Sequence, residues 1–250
     1  MASKKWRLLL FAPVMALPLL FTIQQEPEPA ELFDQPRDFE QVLETSSRAT
    51  FEIFCDGWVG SGWGINLGGE DYVVTAFHVI EECTKGQSIM AKNGLHGAFG
   101  LELVSYDGSY WSDNESGEVD LALLKSSKDI DSLNVQMSEV SLGQWVVGLG
   151  YPSSPISDGF LSPIVGRITG KIGIGHLVTD AAVNRGHSGG PLLNSDGEVL
   201  GTLFAGEDSA EYESISYAET LELHCNVVFL CNGDEPTSFL PNEMRRVTSK

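Results

Sequence analysis

Apolar positions along the chain fall into short bursts rather than long helical stripes. Tyr72–Ala76, Gln144–Gly150 (QWVVGLG) and Val199–Ala205 are rich in β-branched and aromatic residues and are bounded by glycine or polar residues, the pattern of strands. Thr50–Cys55 alternates towards a first strand, and Asp120 opens another apolar strand within Glu118–Lys125 (EVDLALLK). Phe160–Lys171 reads as a strand pair, and Ile215–Ala218 as the last strand. Turns are marked at Gly68–Asp71, at the proline-rich Tyr151–Gly159 and at Ser195–Gly197. The polar stretch Ser126–Glu139 suits a connection between two halves. Glu207–Glu213 is a charged loop, and Glu219–Leu230 suits a short closing helix. The tail beyond Asn232 offers little to pack. No fixed-period repeat is present, so the pattern predicts an all-β domain.

Ahead of this body, Lys4, Lys5 and Arg7 precede an uncharged apolar run, Leu8–Ile23, interrupted by Pro13 and Pro18. A signal peptide and an uncleaved membrane anchor both fit, and each exports the rest of the chain: to the periplasm, to the exterior, or held at a membrane. Residues 24–46 begin with a glutamate-, glutamine- and proline-rich segment too poor in apolar residues for a core, and read as a linker. The folded domain is expected over 47–232, with 233–250 as a C-terminal tail.

The 250 residues suffice for a sizeable core, with 42% hydrophobic and 20% charged positions. The formal net charge of −20 argues against a nucleic-acid partner, because phosphate binding needs a basic surface. The five histidines are scattered, with no HExxH and no paired CxxC, so neither a metal nor another cofactor is expected. Nothing in the sequence specifies an oligomeric state.

The chemistry concentrates in Thr179–Leu193 (TDAAVNRGHSGGPLL), where Ser188 stands among Gly186, Gly189 and Gly190. Glycines allow successive N–H groups to point into one small space, which an acyl-transfer enzyme needs where its oxyanion develops. His78 follows the strand Tyr72–Ala76, and Asp120 follows the polar loop Asp107–Gly117. A serine with a histidine base and an aspartate to orient the base is a nucleophilic constellation. Its order along the chain, His78, Asp120, Ser188, differs from those of subtilisin and the α/β-hydrolases.

With these residues in hand, the chain resembles the trypsin-like serine proteases, most closely the HtrA/Deg type. The matching stretches are GSGWGINLGGEDYVVTAFHVI, EVDLALLK, VVGLGYP and TDAAVNRGHSGGPLLNSDGEVLGT. The resemblance implies two six-stranded antiparallel β-barrels with the site in the cleft between them. His78 and Asp120 would come from the first barrel and Ser188 from the second. The N–H groups of Gly186 and Ser188, with that of His187, would form the oxyanion hole. Ala182 would lie at the base of the primary specificity pocket. Phe204, Ala205 and Gly206 would form its wall, with Phe204 shortening it. With no carboxylate at these positions, a small or medium aliphatic residue is expected before the cut bond.

Cys55, Cys83, Cys225 and Cys231 allow three pairings, and an exported chain favours disulfides. The resemblance implies Cys55–Cys83 beside His78, which leaves Cys225–Cys231. The chain departs from the family pattern at His187, where HtrA relatives carry asparagine and digestive trypsins aspartate, and no PDZ domain follows the protease stretch. The function implied is an exported serine endopeptidase acting on proteins or peptides. The alternative is an inactive barrel of the same fold used as a protein-binding module.

Overall fold

A computed structural model describes residues 33–109, 119–153, 159–173, 175–206, 215–225, 227–233 and 235–242. The expected leader 1–23, the charged loop Glu207–Glu213 and the end of the tail beyond 242 lie outside the described residues.

The first strands follow a helix, α1 (Phe39–Arg48), where composition predicts a linker. Its apolar residues are few, but Phe39 meets Trp145 edge-on at 5.4 Å, and Val42 and Ser46 are buried. Those contacts bind the segment to the body, so the folded part starts before Ser47.

Then come β1 (Thr50–Cys55), β2 (Trp58–Leu67) and β3 (Glu70–Thr75), joined by tight hairpins. Asp56-Gly57 and Gly68-Gly69 hold positive φ at every central turn position, the geometry that matches strand twist in two-residue hairpins. After β3 the chain forms one helical turn, α2 (Phe77–Ile80), and a 3₁₀ turn, Glu81–Lys85. β4 (Ile89–Asn93), β5 (Gly97–Asp107) and β6 (Leu121–Ser126) complete a closed antiparallel barrel in the order β1-β2-β3-β6-β5-β4.

The second closed barrel comprises β7 (Trp145–Gly150), β8 (Ser162–Ile172), β9 (His176–Thr179), β10 (Pro191–Leu193), β11 (Val199–Gly206) and β12 (Ser216–Thr220). Its order is β10-β11-β12-β9-β8-β7.

Three hydrophobic clusters explain why several strands read as unbroken apolar runs. In β6, Ala122 and Leu124 face the interior of the first barrel, while Leu121 and Leu123 face the seam. In β7, Trp145, Val147 and Leu149 face the same seam, and Val146 turns into the second barrel. A strand buried on both faces has no polar side to alternate with.

Three expectations change. Phe160–Lys171 contributes one long strand, β8, instead of a pair; it pairs with β7 over Ser162–Arg167 and with β9 from Ile168 to Ile172, with a register shift between Ile168 and Gly170. Only Leu221–His224, α3, is helical in the expected closing helix, because Glu219 and Thr220 still belong to β12. The tail is also anchored up to residue 242. β13 (Phe229–Asn232) pairs with β14 (Glu235–Phe239), Phe239 packs on Tyr72 at 5.9 Å, and Leu240 is buried. Ser105 Oγ donates to Leu240 O at 2.6 Å, tying the tail to β5.

Candidate active site

β3 ends at Thr75 and α2 begins at Phe77, so the turn between them fixes the backbone on both sides of His78. Phe77 N–H donates to Asp120 O at 3.1 Å, and His78 N–H donates to Asp120 Oδ1 at 2.9 Å. The second carboxylate oxygen, Oδ2, lies 2.5 Å from His78 Nδ1. Asp120 itself is fully buried. Two fixed donors on one carboxylate set its plane and the plane of the imidazole together, and they require the Nδ1–H tautomer, since the carboxylate only accepts.

Disulfides join Cys55 to Cys83 and Cys225 to Cys231, with Cα–Cα separations of 5.7 and 5.6 Å. The first bridges the end of β1 to the 3₁₀ turn directly after α2, so it closes the base of the segment that carries His78.

The serine loop is pressed against that segment from the other barrel. Ser61 N–H on β2 donates to Ser188 O at 2.8 Å. At Gly189 (φ 87°) a Cβ would fall 2.0 Å from Ser61 O and 2.2 Å from Thr75 Oγ1, so only glycine permits this approach. Gly189 N–H donates to Leu203 O at 2.6 Å, which fixes the loop on β11 as well. Ser188 Oγ stands 3.5 Å from Phe204 O. The loop carrying Ser188 is thereby docked on Thr75–Ala76, immediately before the turn that holds His78.

The oxyanion-hole candidates separate into two groups. Arg185 O accepts from Ser153 N–H at 2.8 Å, and Gly186 O accepts from Ser61 Oγ at 2.6 Å. Both carbonyls of this turn are therefore hydrogen-bonded within the protein. Among the described residues, the N–H groups of Gly186 and Ser188 are given to no acceptor. His187 N–H, in contrast, donates to Asn184 O at 3.0 Å, which takes it out of the expected donor set. Ser61, which also accepts from Tyr151 N–H at 2.8 Å, had no sequence signal beyond its place in a glycine-rich strand.

The His187 side chain is fully buried, and its Nδ1 lies 3.2 Å from Asn184 O. Desolvation holds its pKa below the usual histidine value, against a smaller opposing effect of the Asn184 and Ser162 carbonyls. A neutral imidazole therefore fills the place where the resemblance expects asparagine or aspartate.

The expected pocket positions differ in accessibility. Ala182 is exposed, on the segment following β9. Phe204 is 2% exposed, and its ring lies 5.3 Å from His176 within the cluster of first-barrel residues Val79, Ile80 and Ala76. The pairing of β11 with β12 shifts register between Leu203 and Ala205, at the position of Phe204. Of the expected wall, the carbonyl of Phe204 stands beside Ser188 Oγ, while the side-chain environment of Ala205 and Gly206 lies outside the described residues.

Two closed antiparallel barrels thus carry a histidine–aspartate pair on one and a glycine-framed serine on the other, a double-barrel arrangement. The sequence profile of the family described as "Trypsin-like peptidase domain" matches residues 60–201, more than half of the chain, and the chain belongs to that family. Among curated relatives it is 30% identical over 188 residues to the "Probable periplasmic serine endoprotease DegP-like" of Halomonas elongata, covering 72% of this chain and 36% of that protein. It is 29% identical over 178 residues to the "Serine protease Do-like HtrA" of Bacillus subtilis, covering 64% and 36%. The chain therefore spans little more than a third of the length of these relatives. Among solved structures, the serine endoprotease from Yersinia pestis superposes with a TM-score of 0.60 at 25% identity, covering 76% of this chain and 65% of that one. The inactive form of the Rv3671c protease of M. tuberculosis gives 0.59 at 24% identity, covering 76% and 93%, a likeness of fold.

Proposed function

We propose that this chain is a serine endopeptidase in which Ser188 is the nucleophile, His78 the general base and acid, and Asp120 the residue that orients the base. The observation that carries this reading is the 2.5 Å contact between His78 Nδ1 and the fully buried Asp120 carboxylate. With Nδ1 so engaged, Nε2 is the nitrogen that takes the Ser188 proton as Oγ attacks the peptide carbonyl. The same nitrogen then returns that proton to the leaving amine. Asp120 stabilises the imidazolium between these steps. Gly186 and Ser188 N–H groups receive the oxyanion, and losing one such donor typically costs about 2.7–4 kcal/mol.

The two uncommitted N–H groups support this reading over an inactive binding barrel, which has no use for them. Export is supported by the basic start and apolar run at the N-terminus and by relatives whose names include the word periplasmic. Among the described residues no helix is long and apolar enough to cross a membrane. At the pocket, Ala182 supplies no charge to pair with arginine or lysine, and a buried unpaired cation is costly. Cleavage after alanine, valine or leucine is expected, as a graded preference, since one methylene is worth about 1–3 kcal/mol.

Casein digestion by wild type and Ser188→Ala tests the mechanism: the variant folds and cuts nothing. Cleavage by Ser188→Ala at the wild-type rate would refute the mechanism. Mass-spectrometric profiling of cut sites in a denatured protein mixture tests the pocket, and dominant cutting after arginine or lysine would overturn it.

A further inference from the structure

Glu219 is the one acidic residue of β12 among the described residues, and it is completely buried. It belongs to the second barrel, yet its Oε1 accepts the backbone N–H of Asp120, from the first barrel, at 2.6 Å. Its Oε2 is buried with no hydrogen-bond partner, and no cation lies within ion-pair distance among the described residues. A buried acid without a cation is a poor packing element, since a hydrocarbon of the same size would leave no orphaned oxygen. What the carboxyl achieves that a hydrocarbon would not is one hydrogen bond, and that bond falls on the residue that orients the candidate base.

We propose that Glu219 is a positioning residue: from the barrel that carries Ser188, it holds the Asp120 backbone and so fixes where His78 stands relative to the nucleophile. The inference rests on the triad reading. The bonds that Asp120 receives from Phe77 N–H, His78 N–H and His78 Nδ1 lie within its own barrel. None of these sets the distance between the two halves of the site. The Glu219 bond crosses the seam at Asp120 itself, and the Ser61–Ser188 backbone bond crosses it at the serine. Together they define the histidine–serine geometry from both ends. Burial raises the Glu219 pKa well above its ordinary value, with Asp120 and Asp107 adding to the shift as negative neighbours and the Asp120 N–H bond opposing it.

The test measures inactivation by a fluorophosphonate probe, separating the maximal rate of serine modification from probe affinity, in full-length wild type, Glu219→Met, Glu219→Asp, Glu219→Gln and Ser188→Ala. Methionine fills the space without an acceptor, and aspartate keeps the carboxyl but falls short of the Asp120 N–H. Both should lower the maximal rate by about 10- to 100-fold with affinity nearly unchanged, the usual effect of sub-ångström to ångström misplacement. Glutamine presents an oxygen at the same reach and should recover most of the lost rate. Should Glu219→Met fail to fold, the aspartate and glutamine pair still gives the comparison. Wild-type rates in the folded acceptor-deficient variants, with Ser188→Ala unreactive, overturn the role of Glu219 alone. Labelling that persists in Ser188→Ala overturns the triad reading and this inference together.

Discussion

At the scale of single residues, Asp120 has the most exacting position: its side chain orients the His78 ring, its carbonyl takes Phe77 N–H, and its N–H is held from the other barrel. Asp120→Asn keeps the size but offers an amide to Nδ1, favouring the wrong tautomer. A loss in kcat on the order of 10⁴ is expected, with the fold intact by circular dichroism. A loss under tenfold near neutral pH would show that another group orients the base. Glu219 makes a different prediction through stability. The unfolded chain releases this proton near 4.5 and the folded chain holds it well above that, so folded protein binds more protons between the two values. Its contribution is therefore complete below about pH 4.5 and drains away as pH rises towards the folded value. Thermal melts of wild type and Glu219→Gln should diverge with rising pH, wild type losing ground. A constant difference from pH 4 to pH 9 would contradict the raised pKa.

His224 gives the opposite slope. It is fully buried, and its Nδ1–H donates to Thr220 O at 2.6 Å, an atom that only accepts. Nε2 must then accept from Thr202 Oγ1 at 2.8 Å, and Thr202 in turn accepts from Trp63 Nε1–H at 3.0 Å. This chain of bonds joins β2 to β11 and α3 across the seam. Desolvation lowers the His224 pKa to about 4, against a smaller opposing effect of the Thr220 carbonyl. The His224 contribution is fully present above about pH 6.5 and falls by roughly 3 kcal/mol as pH drops towards 4. A His224→Asn variant whose stability is as steep in acid as wild type would show that other groups carry the acid sensitivity.

At the scale of elements, the Cys55–Cys83 bridge ties β1 to the turn after α2 and so to the placement of His78. Non-reducing peptide mapping should find this pair linked in protein from an exported compartment, and a Cys55→Ala/Cys83→Ala protein should lose about 2–5 kcal/mol. Two free thiols there would refute the pairing. Elements legible in the sequence were those whose signals are local. Gly68–Asp71 punctuates a hairpin, and YVVTA and QWVVGLG are strands by composition alone. The misread elements depend on distant partners. β8 is one strand because β7 and β9 each take a different half of it, and nothing within Phe160–Lys171 encodes that division. α1 and β14 owe their order to Trp145 and Tyr72, far along the chain. His78, Asp120 and Ser188 carried strong local contexts, but Glu219 did not, since its bond to Asp120 N–H forms only where the two barrels meet.

At the scale of the molecule, the apolar seam between the barrels, with Trp63, Leu121, Leu123, Trp145, Leu149 and Phe229, holds together two halves of a site that neither barrel contains alone. On the proposed mechanism, docking of the serine loop beside the His78 turn is what makes Ser188 reactive. The most direct measurement is fluorophosphonate labelling of full-length protein near pH 7.5, followed by peptide mapping of the adduct. The account predicts one modified residue, Ser188, in wild type, and no labelling of the intact serine in folded His78→Ala. An adduct at another serine, or undiminished labelling of Ser188 in His78→Ala, would contradict it.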